Sequence, residues 1–295
     1  MKITFYGVRG TSPVTRSDFA EFGGETTSIL VEGEGGETIA LDAGTGLREL
    51  GRDLEKKSPD GSELLFLMTH YHLDHLMGLP AFAPLYREGT SLTIAAPRRE
   101  GRTPKTVISR IFSAPLWPLQ IDKIPARIDF LTLAASSASA PFTRGGLRVT
   151  WAPLHHPGGS TAYRIDEPAT GGSFVFATDV EWRESSPAER KALLRLGGEP
   201  GPPGLLAFDG QYGDGQYPRF RGWGHSTRED AAAVAETIRA GKLLVIHHDP
   251  ANNDRVLAAA EKKLIEVCPS ARLARQGTVV RLGRRPAGKK RGRKQ

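Results

Sequence analysis

Apolar residues recur along the chain in short runs, most of them closed by Gly, Asp or Pro. KITFYGV (2–8), SILVEG (28–33), TIALDAG (38–44), ELLFLMTH (63–70) and SLTIAAP (91–97) come first. LRVTWAPL (147–154), TAYRID (161–166), SFVFATD (173–179), GLLAFDG (204–210), KLLVIHHD (242–249) and TVVRLG (278–283) follow. Their length and their β-branched and aromatic content predict strands. Helical spacing is rarer. Leu47, Leu50 and Leu54 mark one face of a helix over 46–57, and 187–196 and 253–267 are further candidates. A helix over 226–241 opens with a Ser226-x-x-Glu229 capping box and stops at Gly241. Many strands with scattered helices predict an α/β (α+β) protein in which two packed sheets are flanked by helices. Residues 87–145 break the rhythm with several prolines and an Ala/Ser stretch. They read as a lid or insertion beside a site rather than as part of the sheets.

Composition narrows the class. The chain has 295 residues, 39% hydrophobic and 25% charged, with 34 Gly and 21 Pro. The net charge of +7 is local: seven of the 40 Lys and Arg lie in 284–295, which leaves 33 to balance 33 Asp and Glu. That tail has no apolar periodicity, so it reads as disordered, with at most weak, salt-sensitive contact to nucleic acid. The one cysteine, Cys268, rules out a disulfide scaffold and a cysteine-based zinc site. MKITFYGVRG has no leader-like apolar stretch, and LLFLM (64–68) is far too short to cross a bilayer. The expectation is a cytoplasmic protein without a membrane partner.

The eight histidines change the picture. Three fall within THYHLDH (69–75), directly after an apolar strand; the other five are His155, His156, His225, His247 and His248. Each group follows an apolar strand or a Gly-rich turn, and Asp179 ends the strand FVFATD in the same way. His70, His72, Asp74 and His75 offer three imidazoles and a carboxylate, a donor set suited to Zn²⁺, Mn²⁺ or Fe²⁺. They are too close together to bind one ion with ease. His70 and His72 alternate toward one position, and Asp74 and His75 can serve a second.

His-x-His-x-Asp-His, a later His, a strand-ending Asp and a last His together resemble the metallo-β-lactamase superfamily over nearly the whole chain, from Met1 to about Gly283. The resemblance implies one hydrolase domain over 1–283, an αββα sandwich with a binuclear metal site at the sheet edge. His70, His72 and His156 look like ligands of the first ion; Asp74, His75 and His247 look like ligands of the second. Asp179 looks like the bridging carboxylate. Within the doublets, His156 and His247 are preferred over His155 and His248. Asp42 resembles the early Asp that supports ligand histidines. LLAFDGQY, GWGHST and LLVIHHD resemble the branch that holds RNase Z and small phosphodiesterases. There the His before Ser-Thr contacts the scissile phosphate and a strand-end carboxylate orients it: here His225 and Asp209. The catalytic set is therefore His225, Asp209 and Asp74, with Asp74 also a ligand.

The implied function is hydrolysis of a phosphodiester (a cyclic nucleotide, a small diester or RNA) by water activated between two divalent ions, Zn²⁺ before Mn²⁺ or Fe²⁺. Lactone, thioester or other acyl hydrolysis is the enzymatic alternative, and a nucleic-acid-binding protein on an inactive fold is the non-enzymatic one. The 30 positions from Asp179 to Asp209 look too short for a complete tRNA-gripping arm. Glu25 stands where a related bacterial pattern has Asn, and a carboxylate near the site would repel phosphate. A homodimer is common in similar proteins.

Overall fold

A computed structural model describes residues 1–137 and 141–283. The tail 284–295 and its expected disorder lie outside the described residues. Strands β1 (Lys2–Gly7), β2 (Ser28–Glu32), β3 (Thr38–Leu41), β4 (Glu63–Leu67), β5 (Ser91–Pro97) and β6 (Arg127–Leu133) run side by side in one sheet. The second sheet runs from β7 (Phe142–Arg144) through β8 (Leu147–Leu154), β9 (Ser160–Glu167), β10 (Gly172–Ala177), β11 (Leu205–Asp209) and β12 (Leu243–Ile246) to β13 (Ala271–Leu273). Then β14 (Val279–Arg281) returns to the first sheet and pairs antiparallel with β1.

Strand alternation explains the layers. On β4, Leu65 and Leu67 face the second sheet while Leu64 and Phe66 face outward to helices α1 (Leu47–Lys57) and α2 (Pro104–Ile111). On β10, Phe174 and Phe176 face the first sheet. Val175 and Ala177 face a third apolar cluster beneath α3 (Pro187–Gly198), which also holds residues of two later helices. A short helix α4 (Tyr217–Phe220) then precedes those two, α5 (Arg228–Thr237) and α6 (Asp254–Val267). The layers are helix, sheet, sheet, helix, as the sequence predicts.

Two sequence expectations need correction. Residues 87–145 do not stand outside the sheets. β5 and β6 pair in parallel from Ser91 opposite Arg127 to Pro97 opposite Leu133 and extend the first sheet to its edge. Most of β6 is exposed or half-buried, so its apolar signal is weak. Between these strands, Phe112 is buried and Ile111 and Trp117 pack against the helix-side core, so they belong to that core. The second correction is the cap of α5. Thr227 and Asp230 form the capping box, one residue later than expected. Ser226 Oγ instead donates to the Val180 carbonyl.

β3, β4 and β5 are parallel, as are β10, β11 and β12. Within the second sheet β8 shares the direction of β10, because both are antiparallel to β9. The carboxyl ends of neighbouring parallel strands therefore open on one edge in each sheet, where open α/β sheets place their ligand sites.

Candidate metal centre

Most of the candidate residues lie at strand ends, and His225 lies in the loop between α4 and α5. His70 follows β4, His156 follows β8, Asp179 follows β10, Asp209 closes β11 and His247 follows β12. Asp42, Asp179 and His247 turn away from their strands with φ of 56°, 55° and 62°. Left-handed backbone costs a residue with a Cβ about 1–2 kcal/mol. Such strain persists where the surrounding structure holds it, characteristically at functional sites.

These ends and the loops after them bring together all seven candidate ligands read from the sequence. One donor atom from each of His70, His72, His156 and Asp179 lies within 4.8 Å of the others, and Asp74, His75 and His247 form a second such group. His156 Nε2 is 3.1 Å from His72 Nδ1. Asp179 Oδ1 is 3.6 Å from His70 Nε2, 3.7 Å from His156 Nε2 and 3.4 Å from His247 Nε2, while its Oδ2 is 3.2 Å from His75 Nε2. Asp74 Oδ2 is 3.3 Å from both His75 Nε2 and His247 Nε2. Asp179 thus touches both groups. Donors bonded at ~2.0–2.2 Å around a tetrahedral ion stand ~3.3–3.6 Å apart, which is the spacing seen here.

The outer nitrogens fix which face of each ring is free. His75 Nδ1–H donates to Asp42 Oδ2 at 2.8 Å, and His156 Nδ1–H donates to the Gly224 carbonyl at 2.8 Å. His70 Nδ1 lies 3.0 Å from Thr69 Oγ1, which itself donates to Asp42 Oδ2. His247 Nδ1 lies 3.2 Å from Gln211 Oε1. With Nδ1 occupied outside, each Nε2 points inward, the arrangement that outer partners impose on ligand histidines. His70 Nε2 and His75 Nε2 are buried without a hydrogen-bond partner. Orphaned inward nitrogens beside two carboxylates fit a divalent cation.

Electrostatics agrees. Burial pushes the His70 and His156 imidazoles down, His156 to about 4, so they stay neutral donors. Burial pushes the Asp74 and Asp179 carboxyls up, but the imidazoles around them outweigh it and hold both ionised. Burial lowers His75 and His247 as well, yet the facing carboxylates reverse this and raise His247 to about 9. The cage draws in positive charge.

Beside the cage, His225 Nδ1–H donates to Asp209 Oδ2 at 2.8 Å. Asp209 is fully buried and also accepts backbone N–H from Asp179, Gln211 and Ser226. The His225 ring stacks on His247 with centroids 4.8 Å apart and lies 5.2 Å from His156. Its donor atom also groups with those of Asp179 and His247, so proximity alone leaves it able to act as a ligand. Thr11, Asp74, His156 and His225 line a cleft of about 570 Å³ over the cage.

Outside the cage, His155 lies 3.5 Å from Glu189, and His248 bonds the Ala274 carbonyl through Nε2. Glu25 does not line the cleft; its carbonyl accepts from the Val8 and Arg9 amides. Sequence reasoning missed four contributors. Gln211 and Thr69 hold ligand rings, and the Thr11 amide donates to Asp74 Oδ2 at 2.8 Å. Glu181, fully enclosed, accepts from Tyr217 Oη and the Gly222 amide at Oε1 and from the Gly224 amide at Oε2. It clamps the loop that carries His225. Its place two residues after Asp179, on the same chain exit, was the available signal.

The model of a "Beta-lactamase superfamily domain" matches residues 37–248. Among curated proteins no sequence match is found. The metallo-β-lactamase fold protein YhfI from Bacillus subtilis is similar at 18% identity and TM-score 0.67, covering 95% of this chain and 99% of its own. Human tRNase Z, short form, is similar at 19% identity and TM-score 0.65, covering 96% and 99%. Zn²⁺-bound PqqB from Methylobacterium extorquens is similar at 17% identity and TM-score 0.67, covering 96% and 100%. At these identities the likeness is one of fold. Among the described residues no helix is long and apolar enough to cross a membrane.

Proposed function

The chain belongs to the metallo-β-lactamase superfamily, and from that premise we propose that it is a binuclear metal-dependent phosphodiesterase. The observation that carries the reaction class is the His225–Asp209 pair, set against the cage with its ring on His247. Likeness in fold to tRNase Z supports the same reading.

His70, His72 and His156 would hold one ion and Asp74, His75 and His247 the other, with Asp179 between them. Zinc is the first choice for these imidazoles, and a zinc-bound structure shares the fold. When bound, two such ions lower the pKa of a shared water and neutralise charge on the phosphoryl oxygens. The chain's own residues do the rest. Asp209 keeps the His225 Nδ1 proton in place and turns Nε2 toward the cleft. From there the ring can donate a hydrogen bond or proton to the departing ester oxygen, a role worth ~10²–10⁴-fold in rate. Glu181 holds the loop that carries His225 in position.

Hydrolysis of bis(p-nitrophenyl) phosphate by metal-loaded protein tests this. Turnover is expected, and His225→Ala should lower kcat ~10²–10⁴-fold at unchanged metal content. Loss of metal in His225→Ala would make His225 a ligand instead. Two bound ions without phosphodiester turnover would sink the reaction class and direct the search to lactones and thioesters.

A further inference from the structure

Two large apolar side chains stand exposed in the lining of the cleft, Leu73 at 67% and Trp223 at 61% exposure. Trp223 ends an aromatic row that starts at the catalytic pair. The buried Tyr212 ring lies 6.1 Å from His225 and stacks on Phe220, with centroids 4.4 Å apart and planes within 3°. Phe220 meets Trp223 edge to face at 5.3 Å. The loop beneath Trp223 is held on both sides, since the Gly222 and Gly224 amides both donate to Glu181. A large indole is therefore presented to water at the mouth of a cleft, two residues from His225, on a fixed backbone. Leaving it wet forgoes burial of apolar area that a ligand can recover.

We propose that Trp223 is a stacking platform for a nucleobase, so that the substrate is a nucleotide phosphodiester whose phosphoryl group sits at the metal cage. This deepens the phosphodiesterase reading and rests on it. A flat indole recognises a flat heteroaromatic ring by its face, and base–aromatic stacking tolerates any base. The cleft volume of about 570 Å³ lies within the ~300–1,000 Å³ of ordinary ligand pockets. Preference among the four bases is accordingly weak, and preference for a base over a bare sugar is strong.

Calorimetric titration of the metal-loaded full chain with AMP and with ribose 5-phosphate tests the platform, because the two share the phosphate and differ by the base. AMP should bind roughly 5- to 100-fold more tightly. Trp223→Ala should erase that difference and Trp223→Phe should keep most of it, with ribose 5-phosphate affinity little changed in both. Equal binding of the two ligands by the wild type, no binding of either, or a difference that survives Trp223→Ala would overturn the proposal. So would a dimer that falls apart in Trp223→Ala with the AMP preference intact, which would make the ring a contact with a second copy. Failure of the broader reading looks different: AMP would still be preferred through Trp223 while bis(p-nitrophenyl) phosphate was not hydrolysed.

Discussion

Replacing Gly224 by alanine would put a methyl carbon where the His156 ring lies. Gly224 has φ of +90°, and an added Cβ would stand 2.2 Å from His156 Nδ1 and 2.4 Å from Pro157 Cδ. His156 is held at Nδ1 by the Gly224 carbonyl and crowded at Nε2 by His72, so it can move aside only by giving up that hydrogen bond. Holding alanine in left-handed backbone costs about 1–2 kcal/mol. Losing the His156–Gly224 hydrogen bond costs about 1 kcal/mol more. A stiffer unfolded chain returns about 0.4–1 kcal/mol. The net is about 2 kcal/mol before the overlap is relieved. Relief must turn the His156 ring, and disturbing a ligand's outer partner typically lowers metal affinity about 10–100-fold. Urea denaturation of chelator-treated protein reads the stability term, and competition with a chromophoric chelator reads the affinity term. Wild-type metal affinity in Gly224→Ala would refute the idea that this loop sets the His156 ring.

Asp42→Ala removes the acceptor of three buried donors, His75 Nδ1–H, the Thr69 amide and Thr69 Oγ1. Metal affinity should fall about 10–100-fold in the same competition assay, although Asp42 belongs to neither ligand group; an unchanged affinity would deny it any part in orienting His75. Away from the site, burial pushes the Glu32 carboxyl up, but hydrogen bonds from Lys2 Nζ and Lys57 Nζ outweigh it and hold its pKa below the ordinary value. A depressed carboxylate stabilises the fold above its unfolded pKa, near ~4.3, and loses that contribution as pH falls through the folded value. The stability gap between wild type and Glu32→Gln, about 1 kcal/mol at neutral pH for two half-exposed ion pairs, should shrink as pH falls below about 4. A gap that held constant to pH ~3 would show that the ion pairs do not supply it.

What the sequence revealed and hid follows from locality. The candidate ligands were legible because imidazoles and carboxylates at strand ends sit next to the runs that predict the strands. The doublets were harder, since adjacent residues leave a strand in opposite directions and only the fold decides which enters the cage. His156 enters and His155 meets Glu189; His247 enters and His248 packs beneath the Ala274 carbonyl. Strand β6 was lost in the presumed lid because an exposed edge strand carries little apolar periodicity. The α5 cap shifted by one residue because Ser226 spends its hydroxyl on the Val180 carbonyl, a partner 46 positions away. Glu181 and Gln211 were missed for the same reason: their work is to hold residues far away in the chain.

The proposed function stands on a cage for two cations built from these seven side chains. Elemental analysis of purified protein, alongside His72→Ala and His247→Ala after equilibration with zinc, counts those ions. About two ions per chain are expected in the wild type and fewer in each variant, with both variants still folded by circular dichroism. A wild-type chain that takes up no divalent metal, or variants that bind as much as the wild type, would contradict such a cage.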